Sequence, residues 1–192
     1  MRLSPAACAL MLLAGCAARQ PAEPPDEPSL DEWPAWEVGD AWTWTVRSTG
    51  SDGEVREANV SGEVVEVAAD TYRVRSRASD GSTAEQTFWR GNVTMQGSQT
   101  EALRFPLRAG ANWTSGGAEV RVLGREEVAT HAGTFEAWRL NLTSIAGGNW
   151  RDDWWAPEAK IWVSSHSTRV FQGELLVIDR ELQEFRPASS EP

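Results

Sequence analysis

Cysteine is scarce in this chain: its 192 residues hold two, Cys8 and Cys16, so everything beyond residue 16 folds without a disulfide. Histidine is as rare. His131 and His166 stand far apart in sequence with no cysteine near them, which excludes the spacings that hold a zinc ion. Lysine occurs once, at Lys160, and with 18 basic against 28 acidic residues the net charge is −10. Phosphate neutralisation needs clustered cations, so this balance excludes nucleic acid as a partner and a polybasic membrane patch as an anchor. Apolar runs of the roughly twenty residues that cross a bilayer as a helix are missing. Missing too is any long window with the 3.6-residue apolar stripe of an amphipathic helix. What the chain does have is tryptophan. There are 11, against five phenylalanines and one tyrosine. Each indole brings a large apolar area and an N–H that needs a partner, so tryptophans collect in cores, at interfaces and on ligand walls.

The first residues read MRLSPAACALMLLAGC: a short basic start, an apolar run over 6–13, then Leu13-Ala14-Gly15-Cys16. A run this short suits the apolar region of a secretory signal. Its Leu-Ala-Gly-Cys ending resembles the bacterial lipobox, in which the cysteine thiol is diacylated and the freed amine is acylated after cleavage. The resemblance implies a lipidated Cys16, palmitate-like chains, and attachment to the membrane as a partner. Each buried CH₂ contributes about 0.8 kcal/mol, and stable anchoring takes more than one chain. Ala17 follows the cysteine where an aspartate would retain the product at the inner membrane. By the sorting rule of that family, the expected place is the bacterial cell envelope, at the outer membrane facing the periplasm. Loss of Arg2 with the signal leaves 17 basic residues against 28 acids, a mature charge of −11.

The expected layout is a signal peptide over 1–15, an acylated cysteine and Pro/Glu-rich linker over 16–32, an antiparallel β domain over 33–186 and a polar tail over 187–192. The linker, with Pro21, Pro24, Pro25 and Pro28 among its acids, has almost nothing apolar to bury. It reads as a disordered, partly polyproline tether, rising about 3 Å per residue where extended. The domain after it alternates. Trp42, Trp44 and Val46 share one strand face, and Thr43, Thr45 and Arg47 the other. Val60, Val64 and Val67 are expected inward on the next strand. Tyr72, Val74 and Ser76 then oppose Arg73, Arg75 and Arg77, whose charges are expected to pair with Glu63 or Glu66 across the hairpin. Asp80-Gly81 marks a tight turn. Further strands are read over 83–90, 93–96, 119–128, 135–145, 150–155, 160–165 and 170–180. The fold class is all-β, a meander of about ten strands in a single curved antiparallel sheet, half-barrel or open barrel-like.

A loose internal echo runs through the chain. Gly39-Asp40-Ala41-Trp42-Thr43 returns as Gly110-Ala111-Asn112-Trp113-Thr114. Thr71-Tyr72 returns as Thr134-Phe135, and Phe88-Trp89 as Trp154-Trp155. The offsets drift, so two sheet halves built on one plan are expected rather than strict repeats.

Over 105–163 the chain reads FPL with a glycine and Trp113, then Ala132-Gly133-Thr134-Phe135-Glu136-Ala137, then Trp155-Ala156-Pro157. This order resembles a group of bacterial envelope proteins related to the lipoprotein-carrier superfamily, which includes the lipoprotein-localisation factor. The resemblance implies a half-barrel with an apolar concave face. One departure is visible: where such proteins often carry a glycine after the Trp-Ala-Pro turn, this chain has Glu158-Ala159-Lys160.

Catalytic constellations are thin. Ser164-Ser165-His166-Ser167 lacks a nucleophile elbow. Asp152 and Asp153 beside Trp150, Trp154 and Trp155 suggest a sugar platform, but neighbouring strand residues point to opposite faces and cannot flank one bond. Four Asn-x-Ser/Thr sites, at Asn59, Asn92, Asn112 and Asn141, carry no weight behind a bacterial lipobox. The expectation is a lipid-anchored envelope protein, not an enzyme, with no catalytic residue, no metal and no cofactor. It binds a hydrophobic ligand or an envelope protein partner on its curved sheet, and Trp138, Trp154, Trp155 and Trp162 are the candidate ligand-lining residues. The alternatives are a structural or assembly lipoprotein with a filled core and a non-catalytic glycan-binding module.

Overall fold

The computed structural model describes residues 35–90, 93, 101–171 and 173–188. The expected signal peptide, Cys16, the linker and most of the strand expected at 93–96 lie outside these. The described chain forms β1 (Ala41–Thr49), β2 (Val55–Val67), β3 (Thr71–Ala78), β4 (Thr83–Trp89), β5 (Asn112–Ser115), β6 (Ala118–Thr130), β7 (Gly133–Ser144), β8 (Trp150–Ala156), β9 (Ile161–Phe171) and β10 (Glu174–Arg186). All ten belong to one open antiparallel sheet, ordered β4-β3-β2-β1-β10-β9-β8-β7-β6-β5. It is therefore two meanders, not one. The first and last strands meet in the middle, where Trp42 pairs with Phe185 and Val46 with Arg180. Both terminal strands are thus shielded on each edge, and the exposed edges fall to β4 and the four-residue β5.

Alternation explains the strands. Along β3, Tyr72 and Val74 are buried while Arg73, Arg75 and Arg77 face water. The arginines pair across strands as charge predicts, Arg73 with Glu66 and Arg75 with Glu85 at 2.9 Å. Glu66 takes the role expected of it; the other acid is Glu85 of β4. The Asp80-Gly81 turn forms, with Gly81 at φ 85° and Ala78 N donating to Ser82 O at 2.9 Å.

The internal echo is real in hydrogen bonds. Gly39 N donates to Val64 O and Val64 N to Asp40 O, each at 2.9 Å; Gly110 N donates to Val122 O and Val122 N to Ala111 O, again each at 2.9 Å. Both glycines hold positive φ, 99° and 80°, a conformation that costs them little. Each leads to a tryptophan-bearing strand (β1, β5), then a strand of 13 residues (β2, β6), then one that opens near an aromatic, Tyr72 or Phe135 (β3, β7).

Two apolar cores result. One gathers Trp36, Trp42, Val64, Tyr72, Phe135, Ile161 and Leu182; the other Leu103, Leu107, Trp113, Val122, Trp138, Leu140 and Trp155. Strands serve both because burial switches faces along them: Ala137 and Trp138 of β7 are both buried, as are Trp155 and Ala156 of β8. The sheet coils enough for the β6–β7 turn to reach β10, Ala132 N donating to Leu182 O at 3.2 Å. An irregular strap, residues 101–111, covers the second core with Leu103 and Leu107, both almost fully buried. Trp113 Nε1 donates to Glu101 O at 3.0 Å and Glu101 N to Ser115 Oγ at 2.7 Å, which moors the strap to β5.

A candidate functional site between the sheet halves

Three indoles set the site's frame. Trp36 Nε1 donates to Lys160 O at 2.7 Å, Trp42 Nε1 to Ala159 O at 2.9 Å and Trp44 Nε1 to Trp162 O at 3.1 Å. Together they tie the first strand and the segment leading into it to the corner between β8 and β9. Asp40, fully buried, completes the corner. Its carboxylate accepts from Glu37 N at 2.9 Å, Lys160 Nζ at 3.1 Å and Ala188 N at 2.7 Å.

Beside this corner lies a recess of about 490 Å³, within the roughly 300–1,000 Å³ of small-molecule sites. Trp44, Val46, Val60, Phe88 and Trp162 line it and are half-buried, so apolar surface remains open there. Register orders the wall. From β10 it runs through Val46 and Trp44 on β1 and Val60 and Gly62 on β2 to Val74 on β3 and Phe88 on β4. Gly62 keeps its middle clear: a Cβ there would already touch Trp44 at 3.4 Å and Val74 at 3.5 Å.

One end of the recess is charged. Asp153, fully buried, accepts from Arg151 Nε at 2.6 Å through Oδ1, while its Oδ2 is buried with no hydrogen-bond partner among the described residues. Ser165 pairs with Asp153 on one side and Arg180 on the other, which places all three in one row across the sheet. Arg151 and Arg180 line both the apolar recess and an adjoining one of mixed character, about 580 Å³, around Ser167, Ser144 and Ile178. Arg180 is exposed to solvent at the mouth of these recesses. Burial by the surrounding walls nevertheless pushes its pKa down; Arg151 adds to that and Asp153 opposes it. A guanidinium titrates so high that it stays charged at neutral pH.

The four tryptophans picked from sequence part company. Trp162 lines the recess, with the Arg151 guanidinium 5.8 Å from its ring. Trp138 and Trp155 are buried in the second core under the strap. Trp154 is half-buried and hydrogen-bonds Glu126, with Arg139 at 5.3 Å over its ring. Asp152 and Asp153 diverge as strand geometry requires: Asp152 meets Arg139 at 2.7 Å and Asn141 at 2.6 Å, Asp153 meets Arg151. His166 contacts Asp179 and packs 4.9 Å from Trp150, and His131 sits in the β6–β7 turn.

Sequence reading passed over Trp44, Val60, Phe88, Arg151 and Arg180 as site residues. One signal was present for Arg180: it follows Leu176 and Ile178 and precedes Leu182 in period two, a cation at an apolar position.

No family model and no curated protein matches this chain. Several solved structures are similar to it. An exported protein of Bacteroides fragilis with a YmcC-like fold is 14% identical over 79% of this chain and 97% of its own, with a TM-score of 0.48. A lipoprotein of Parabacteroides distasonis is 14% identical over 78% and 96%, at 0.43. An outer membrane lipoprotein-sorting protein domain of Vibrio parahaemolyticus is 8% identical over 84% and 88%, at 0.31.

Proposed function

We propose that this protein is a lipid-anchored, non-enzymatic component of the bacterial envelope that holds a hydrophobic ligand in the recess between its sheet halves. Cys16 carries the acyl chains, the linker over 16–32 spaces the domain from the membrane, and the outer membrane is the site of attachment. One observation carries the ligand reading. The sheet's two halves are treated differently: the strap seals the second core, whereas the first half, together with Trp162 of β9, leaves Trp44, Val46, Val60 and Phe88 half-buried around about 490 Å³ of space. Burying that apolar surface under a ligand is favourable at about 25 cal/mol per Å². A purely structural lipoprotein has no need to leave it open.

The test is native mass spectrometry of the protein extracted from a bacterial envelope, set against its denatured mass. The denatured chain should begin at an acylated Cys16. The native protein should carry a further lipid-sized adduct that denaturation releases. A native mass equal to the denatured one in every preparation contradicts the ligand reading and favours a structural lipoprotein.

A further inference from the structure

We propose that the ligand is an anionic single-chain amphiphile, its head group held between Arg151 and Arg180 and its tail laid across Trp44 and Val60 towards Phe88. The proposal rests on the apolar-ligand reading above and names the chemistry of that ligand.

Charge complementarity carries it. The charged end holds two guanidinium groups and one carboxylate, a surplus of one positive charge. Arg151 is committed to Asp153 at 2.6 Å, whereas no hydrogen bond or ion pair among the described residues engages the Arg180 side chain. Its nearest charged neighbours are Arg151 and Asp153, and Asp153 already accepts from Arg151. No aspartate or glutamate is among the described residues lining the apolar recess, and the one carboxylate at its charged end, Asp153, is held by Arg151. A neutral apolar ligand would strip water from Arg180 and return nothing, which is costly for a charged donor. A carboxylate or phosphate matches the planar fork of a guanidinium and restores the lost hydrogen bonds. Size selects one chain: about 490 Å³ is the space of a small molecule, not of a bulky multi-chain lipid.

The probes are decanoate and decanol, which share a tail and differ in the head. They are titrated by calorimetry into the full chain carrying Cys16→Ser, which removes the acylation site. Decanoate should bind about tenfold more tightly than decanol, a difference of about 1.4 kcal/mol. Arg180→Met should erase that preference, weakening decanoate and tightening decanol, and Arg180→Lys, which keeps the charge, should retain most of it. Equal affinities for the two probes in the parent chain overturn the anionic head and leave the apolar recess standing. Failure of both probes to bind overturns the recess itself. Inorganic phosphate binding as tightly as decanoate overturns the amphiphile in favour of a bare anion site. Should Arg180→Met fail to fold, weakening of decanoate but not decanol binding in the parent chain as salt is raised supports the head-group contact, and salt-independence contradicts it.

Discussion

Lys160 holds φ at 55°, the left-handed conformation that side chains other than glycine rarely adopt. It ends the Glu158-Ala159-Lys160 stretch that follows the Trp-Ala-Pro turn. The structure shows what the lysine does there. Its Nζ lies 3.1 Å from the buried Asp40 carboxylate, and its own carbonyl accepts the Trp36 indole. Strain at the backbone is offset by an ion pair with an otherwise uncompensated buried charge. Two substitutions separate these effects. Lys160→Gly and Lys160→Met both lose the ion pair, but only the glycine relieves the backbone. Glycine should therefore be the more stable by about 1 kcal/mol in urea unfolding. Equal stability would show that the backbone there is unstrained. At this scale sequence told little: Asp40 and Lys160 are 120 positions apart, and nothing local announces their contact.

Among the elements, the indole bonds from β1 to the β8–β9 corner brace the halves of the molecule across β10, in addition to the β1–β10 ladder. Trp42 is 2% exposed and stacks near Phe185 at 6.3 Å, so Trp42→Phe keeps an aromatic ring in the core and removes the donor. It leaves the Ala159 carbonyl buried without its partner. The expected loss is about 2 kcal/mol, read from the urea midpoint, with an unchanged sheet signature by circular dichroism. A loss below about 0.5 kcal/mol, the low end for a hydrogen bond, would mean the corner is held by packing alone. Strands were the legible part. Period-two alternation over 41–47 and 72–78 placed β1 and β3 and assigned their faces, because one side of each meets a core and the other meets water. β9 and β10 proved longer than their apolar patterns, running to Phe171 and Arg186 on polar residues paired within the sheet. The strap over 101–111 was illegible for a different reason: it has no period, and its apolar residues are spaced by the core they cover.

For the whole molecule, the echo between Gly39–Thr43 and Gly110–Thr114 foretold two related halves. It did not foretell their use. The strap closes one half, and the other is left as a recess with a cation at its end. Of the tryptophans singled out in the sequence, Trp138 and Trp155 lie in the closed half and Trp162 lines the recess, because aromatic density marks a core as well as it marks a ligand wall. Which half stays open depends on where the strap lies, a long-range fact. Strand order was similarly out of reach: β1 beside β10 follows from the ends of the domain meeting at Asp40, with Ala188 N at 2.7 Å from its carboxylate. The central claim is that this recess receives an amphiphile head-first at Arg180. It is tested most directly by crystallising the protein with 10-bromodecanoate and locating the bromine by its anomalous signal. The account predicts the carboxylate within hydrogen-bond reach of Arg151 or Arg180 and the bromine near Val60 or Phe88. Bromine beneath the strap, at the outer face, or beside the arginines with the carboxylate pointing away would contradict it.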